Sequence, residues 1–261
     1  MLGARLAKWL DAGEAVALVT VTSAQGSTPR EVGVRMGISA ESICGTIGGG
    51  ALEALAIREA RSLLNSEGQS LDIDQPLGPE IGQCCGGRAQ LHIAKLDSDA
   101  IATLQGAEAE MEANQPHVLI FGAGHTGGAL ATALAPLPLD VTVIDERSDW
   151  LAMLSSTVKP VQTALPEAEV AAAPPGAAFV IMTHDHALDF LIAEAALARN
   201  DAAYVGMIGS ATKRARLVSD LTRKGVSASG LTCPIGALGP KDKRPEVIAA
   251  ITAAEVMAAL L

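Results

Sequence analysis

The chain has 261 residues, a formal net charge of −10 and a sequence pI near 4.9, with 49% hydrophobic but only 2% aromatic residues. This length allows two domains of ordinary size, each with a core that must be built of Ala, Val, Leu and Ile. The acidic balance argues against a nucleic-acid partner, and no apolar run approaches the roughly 20 residues of a membrane span.

The first half of the chain mixes helix and strand patterns. Its predicted helices cover residues 3–12, 51–64 and 98–113, and its predicted strands cover residues 15–24, 33–38, 42–47 and 88–96. The segment 1–14 begins as an amphipathic helix and lacks the apolar region of a signal peptide. Asn114-Gln115-Pro116 then indicates a domain boundary, so we expect an N-terminal α+β domain over residues 1–114.

The second half alternates strand and helix, as a parallel α/β sheet requires. Its predicted strands cover residues 117–121, 141–145, 160–165, 177–184 and 203–209. Helices are expected after residue 127, near 148–155, over 187–199, from Ser210 and over 246–261, and a Pro- and Ala-rich loop is expected after the strand 160–165. We therefore predict a Rossmann-like doubly wound parallel-sheet domain over residues 115–261. The C-terminal helix could pack on either domain.

A glycine motif follows the first strand of this second domain. In Gly122-Ala-Gly124-His-Thr-Gly127, the first glycine allows a tight turn, the second lets a pyrophosphate approach the backbone, and the third lets helix and strand pack closely. Asp145, at the end of the next strand, would accept hydrogen bonds from a ribose diol, which favours NAD over NADP. The alternative is a Rossmann-like unit that has lost its ligand.

The cysteine content is low, and its distribution is unusual. Four cysteines, Cys44, Cys84, Cys85 and Cys233, are too few and too uneven for a disulfide framework, which predicts reduced thiols in a cytoplasmic protein. Glycines flank the adjacent pair Cys84-Cys85, and Arg88 nearby could raise the thiolate fraction. The pair predicts a ligand for a thiolate-binding metal or sulfur centre; buried small apolar residues in a turn are the alternative.

Two further loops have the character of anion sites. Gly48-Gly49-Gly50 precedes a helix, but the Lys-Ser/Thr of a P-loop is missing. A segment from Gly206 to Ser210 opens a helix that carries Lys213, so a phosphate could bind there; tight packing beside a solvated basic face explains the same residues.

Two histidines are predicted at the end of a strand. His184 and His186 alternate, so they would point the same way and could share a metal or a base role. Histidines without a ligand are commoner at such a position.

Taken together, these motifs resemble the xanthine dehydrogenase accessory protein family, XdhC/CoxI, over nearly the whole chain. The resemblance depends on segments in both predicted domains: Gly26-Ser-Thr-Pro-Arg30, Gly45-Thr-Ile-Gly-Gly-Gly50 with Glu53, Gly82-Gln-Cys-Cys-Gly-Gly87, the Gly122 loop with Asp145, 183–189 and 204–217. The tail over 239–247 fits the family less well.

The resemblance implies a chaperone for the molybdenum cofactor (molybdopterin), without turnover of its own. Such a protein would protect the cofactor, support its sulfuration with a cysteine desulfurase and help to insert it into xanthine dehydrogenase, its client. Cys84 and Cys85 would then meet the metal, and Arg30, Arg88 and the glycine N–H groups would meet the pterin and its phosphate.

The Rossmann-like half has three possible roles. It could bind NAD(P) or another nucleotide, bind the pterin phosphate, or serve as a docking scaffold. The main rival to a chaperone is an NAD(P)-dependent oxidoreductase, and a third class is a protein–protein adaptor, with a homo-oligomer as a further possibility.

Overall fold

The computed structural model describes residues 1–78 and 86–261. These residues form two compact units, Met1–Met111 and Glu112–Leu261. The predicted boundary after residue 114 lies just beyond the helix in which this division occurs. Cys84 and Cys85 lie outside the described residues.

The first unit is built on a five-stranded antiparallel sheet with the strand order β3-β2-β1-β5-β4. Its elements in chain order are α1 (Leu2–Asp11), β1 (Val16–Gln25), β2 (Arg35–Ile38), β3 (Ile43–Gly45), α2 (Gly50–Leu64), β4 (Ser70–Leu77), β5 (Gly87–Leu96) and α3 (Ser98–Ala113).

Period-2 alternation along β1 gives this sheet two covered faces. Ala17 and Val19 belong to a core that also contains the buried residues of α2. Val16 belongs to a second core, shared with Leu6 of α1 and Leu104 of α3. The unit is therefore a sheet between helical layers, which is the predicted α+β class.

The strand β4 was not predicted from the sequence. Leu71 and Ile73 alternate with polar residues along it, but Asp, Gln and Pro give it a low strand propensity. It lies at the edge of the sheet and is held by a continuous antiparallel register with β5, from Ser70↔Ala94 to Leu77↔Gly87. Pairing with a neighbour, rather than propensity, decides its conformation.

The second unit is built on a six-stranded parallel sheet with the order β11-β10-β9-β6-β7-β8. Its elements are β6 (His117–Phe121), α4 (His125–Leu134), β7 (Asp140–Asp145), α5 (Ser148–Leu151), β8 (Lys159–Gln162), α6 (Pro166–Ala172), β9 (Ala178–Ile181), α7 (His186–Ala198), β10 (Tyr204–Met207), α8 (Ala211–Arg223), β11 (Leu231–Thr232) and α9 (Pro245–Leu260).

Numbered within the unit, the strands run 3-2-1-4-5-6, the order of a doubly wound dinucleotide-binding fold. Buried residues of α4 and α9 share one core on the sheet, and those of α6, α7 and α8 share another. This confirms the predicted fold class. It also answers where the C-terminal helix packs, because α9 lies against α4 in this unit.

Two local predictions in this unit were wrong. The stretch after β8, predicted as a loop, contains α6, which begins with Pro166 at its first position, where a proline costs no hydrogen bond. The strand predicted over 177–184 ends at Ile181, and Asp185 caps α7 by accepting from the N–H of Ala187. His184 and His186 therefore lie in a loop and a helix, where strand alternation no longer applies.

Candidate functional site at the carboxyl edge of the parallel sheet

The glycine loop after β6 is held by close backbone contacts. Gly122 has φ of +112°, and a Cβ there would lie 2.4 Å from the carbonyl oxygen of Met182. A Cβ on Gly127 would lie 1.8 Å from the carbonyl oxygen of Gly122. These two glycines are therefore required by packing, as the sequence predicted from their spacing.

Gly124 differs from the other two glycines because a Cβ there would meet no atom within 4 Å. It is the N-cap of α4, and no side chain caps that helix. The helix start therefore offers backbone N–H donors and its positive dipole end to an open cleft of about 320 Å³. The cleft is lined by the start of α4, by α5 with the residue before it, and by the segment after β9, including His125, Thr126, Arg147, Trp150, Thr183 and His184.

The carboxylate of Asp145 is fully engaged inside the protein. One oxygen accepts from the N–H of Ala123 at 2.7 Å and from Nη2 of Arg147 at 2.7 Å. The other accepts from the backbone N–H and Nε of Arg147, at 3.0 and 2.8 Å. A ribose diol would have to displace one of these donors.

The protonation of Asp145 follows from the same contacts. Burial by itself raises the pKa of Asp145, but the hydrogen bonds from the Arg147 side chain and from the N–H groups of Ala123 and Arg147 outweigh it and lower the pKa to about 2. The carboxylate is therefore charged at neutral pH and paired with a guanidinium whose pKa is raised, chiefly by the same hydrogen bonds.

Arg147 also contacts an aromatic pair. Its guanidinium carbon lies 5.2 Å from the centre of the Trp150 ring, and the His125 ring meets Trp150 edge-on at 5.1 Å. Sequence reasoning missed Arg147 and Trp150; their position just after an acidic strand end was the available signal.

A narrow cavity of about 30 Å³ adjoins Asp145 and is large enough for a water molecule or two. Thr163, Pro166 and Leu188 contribute to its wall, and two exposed side chains, His184 and Glu146, lie beside it with 3.5 Å between Nε2 and Oε1. The predicted shared role of His184 and His186 is not supported by position, since His186 lines a different cleft with Arg216.

Lys213 was predicted to bind a phosphate, and the structure gives it internal partners. Its ammonium donates to the carboxylate of Asp189, which is fully buried, and to the carbonyl oxygen of Ile208 at 3.0 Å. Asp189 also accepts from the N–H and hydroxyl of Thr183, at 2.9 and 2.7 Å. This buried pair joins the ends of β9 and β10 to α7 and α8, a role that the sequence did not reveal.

In the first unit, Glu53 fills the loop formed by Gly48, Gly49 and Gly50. Its carboxylate accepts from the N–H groups of Ile47 and Gly49, each at 3.1 Å, and from the hydroxyl of Thr46 at 2.5 Å. The N–H of Gly48 donates to the Thr46 hydroxyl. The backbone N–H groups of Gly48 and Gly49, which were predicted to bind a phosphate, therefore already donate to side chains of this unit.

The segment 26–30 of the first unit contacts the described parts of two other sequence motifs. A Cβ on Gly48 would lie 2.6 Å from Pro29 and 3.3 Å from Cγ of Arg30. Ser27 bridges Gly86, and a Cβ on Gly87 would lie 2.4 Å from the carbonyl oxygen of Ser27. The exposed Arg30 thus lies beside the Gly48 loop, and Ser27, three residues before it in the chain, contacts Gly86.

Arg88, the other predicted cofactor contact in this unit, is paired with Asp74. Its Nε and Nη2 donate to the two carboxylate oxygens at 2.6 and 2.8 Å. The pair is exposed, so Arg88 can exchange Asp74 for another anion at little cost.

Within residues 1–78 and 86–261, no group of three or more His, Cys, Asp and Glu side chains could hold a metal ion. The same residues include no helix that is both long and apolar enough to cross a membrane.

Comparisons with known proteins agree with this two-unit organisation. Residues 9–74 match the XdhC and CoxI family, and residues 118–256 match the XdhC Rossmann domain. The second match ends inside α9, which therefore belongs with the Rossmann domain in sequence as well as in structure.

Two similar proteins extend the comparison. The uncharacterized protein YqeB of Escherichia coli (strain K12) is 26% identical over 257 residues, which are 92% of this chain but 43% of YqeB, so the chain spans less than half of that relative. A crystal structure of a xanthine dehydrogenase from Bacillus halodurans superposes with a TM-score of 0.82 at 17% identity, covering 98% of this chain and 95% of the other, which shows a shared fold.

The glycine loop after β6 lies within the match to the XdhC Rossmann domain, and Arg30 and Glu53 lie within the match to the XdhC and CoxI family. With more than half of its length matched by the XdhC Rossmann domain and a further segment by the family's other part, the chain belongs to the XdhC and CoxI family.

Proposed function

We propose that the protein is an accessory factor for the maturation of xanthine dehydrogenase. It binds the molybdenum cofactor as cargo, protects it, supports its sulfuration together with a cysteine desulfurase and helps to insert it into the client. The family membership supports the accessory role.

The observation that carries the proposal is that the segment 26–30 of the first unit contacts both the Gly48 loop and Gly86. Arg30 is exposed beside Gly48, and Ser27 bridges Gly86, which follows Cys85 directly in the sequence. An arginine and glycine backbone suit the phosphate and the pterin, and thiolates suit a soft, sulfur-rich metal centre.

The experiment measures molybdenum and pterin bound to the purified full chain. We expect Cys84→Ala/Cys85→Ala to lose most of the molybdenum, measured by mass spectrometry, and most of the pterin, measured by fluorescence after oxidation. Cys44→Ala is the control, because it removes a free, partly exposed thiol of the same unit. Unchanged stoichiometry in the double variant would show that the thiols do not hold the cargo.

An NAD(P)-dependent oxidoreductase is the second candidate. The open backbone above Gly124 and the uncapped start of α4 favour a bound phosphate, as in nucleotide enzymes. Bound pterin without oxidation of NADH or NADPH supports the accessory factor, and oxidation of either cofactor supports the enzyme. If neither is observed, a protein–protein adaptor is supported.

A further inference from the structure

The ion pair between Asp145 and Arg147 changes what the cleft beside the glycine loop can recognise. We infer that Arg147 is a specificity-determining residue, which makes this Rossmann-like unit select a nucleotide whose ribose carries a phosphate over one with a free diol. The sequence alone, with Asp145 at the end of its strand, favoured the opposite choice.

The acceptor that would recognise a ribose diol is already engaged. An acidic residue recognises an unphosphorylated ribose by accepting hydrogen bonds from its hydroxyls. Both oxygens of Asp145 already accept two hydrogen bonds each, three of the four from Arg147. Because the side chain of Asp145 is only 4% exposed, a diol gains access only if Arg147 leaves.

Arg147 is the donor that a phosphate would meet in this cleft. Asp145 uses Nε and Nη2 of Arg147, and no partner is described for Nη1. The Arg147 side chain is 29% exposed and lines the cleft in front of the start of α4, and its guanidinium lies over Trp150. A planar guanidinium held in this way can donate to a phosphate, as an arginine near this strand end does in sites for phosphorylated ribose.

Space and charge around Asp145 also bear on which nucleotide can bind. The cavity beside Asp145 is narrow, but His184 and Glu146 at its border are exposed side chains that can move. Glu146 opposes an anion, whereas His184, when protonated, and the dipole of α4 attract it. Phosphate binding therefore depends on Arg147, whose permanent positive charge lies in the lining of this cleft.

The experiment titrates the full chain with NADPH and NADH, which differ only in the 2′-phosphate, and follows the fluorescence of the reduced cofactor. We expect the wild type to bind NADPH at least about tenfold more tightly than NADH, the effect of losing one good charge-assisted contact. We expect Arg147→Ala to abolish this preference, by weakening NADPH and by freeing Asp145 for the ribose of NADH.

Two controls keep the result interpretable. Arg223→Ala removes an exposed arginine of the same unit and should leave the preference unchanged. Arg147→Met retains an unbranched side chain beside Trp150 and should behave like Arg147→Ala if charge is the cause. Thermal melting then shows whether each variant is folded.

The inference is overturned if the wild type binds NADH as tightly as NADPH, if it binds neither, or if Arg147→Ala keeps the wild-type preference. These outcomes do not depend on Cys84 or Cys85, so the inference and the proposed cargo function can fail separately.

Discussion

The two units each contain a glycine-rich loop before a helix, but the loops differ in what their backbone donors do. In the first unit, Glu53 accepts from Ile47 and Gly49 and so closes the loop before α2. In the second, Asp145 takes only the N–H of Ala123 from the glycine loop, and no side chain caps α4. Glycine content alone therefore does not identify an anion site; the occupancy of the donors does.

The largest expected effect separates packing glycines from an open one. Gly127→Ala should destabilise the second unit by about 3 kcal/mol, because its Cβ would lie 1.8 Å from a carbonyl oxygen. Gly124→Ala should change the free energy of unfolding by less than about 0.5 kcal/mol, because its Cβ meets open space.

Urea unfolding can measure this contrast in one unit. The chain has two tryptophans, so Trp9→Phe leaves Trp150 as the fluorescent reporter of the second unit. Equal destabilisation by the two alanine substitutions would contradict the difference between a packed and an open glycine.

The next effect concerns the pH dependence of the Asp145 contact. Its pKa is lowered from 3.8 to about 2 on folding, so its contribution is complete above pH 5 and is lost as pH falls through 4 towards 2. Asp145→Asn should cost about 2 kcal/mol at pH 6 and much less at pH 2.5. A constant gap between variant and wild type in urea unfolding at the two pH values would argue against this assignment.

A smaller effect is expected for the closed loop of the first unit. Glu53→Ala should cost about 1–2 kcal/mol because it leaves the N–H groups of Ile47 and Gly49 without their acceptor. Glu53→Gln retains an acceptor oxygen and should cost less. Fluorescence of Trp9 in a Trp150→Phe background reports this unit, and identical losses for both variants would mean that charge, not acceptance, matters.

The smallest effect is expected for Arg88. Because the Arg88–Asp74 pair is exposed, Arg88→Ala should leave the thermal unfolding midpoint unchanged. A clear drop in the midpoint would show that Arg88 stabilises the fold and is not available to bind an anion.

Much of the fold followed from the sequence because its signals are local. The apolar runs ending at Phe121 and Asp145 and the glycines between them predicted strand, turn and helix, and the six-stranded order agrees with that pattern. The misses have physical causes: β4 depends on its partner strand, and α6 is a short helix that an Ala- and Pro-rich composition does not distinguish from a loop.

The candidate site was only partly predictable. Gly122, Gly124, Gly127 and Asp145 were found because their spacing is a known pattern, whereas the pairing of Asp189 with Lys213 joins residues 24 positions apart. No periodicity reports such a contact. The sequence predicted a free N–H at Gly49 and free acceptor oxygens at Asp145. In the folded chain, Glu53 and Arg147 engage these groups.

The sequence by itself determined the two-unit α+β and parallel α/β organisation, the family and the identity of the loops that carry polar chemistry. It could do so because strand and helix periods and the conformational freedom of glycine are local properties of the chain. The tertiary structure alone decided that Glu53 accepts from one glycine loop, that Arg147 donates to the carboxylate of Asp145 and that no side chain caps α4. The reason is that a hydrogen-bonding group is free or satisfied only according to the groups that folding brings beside it.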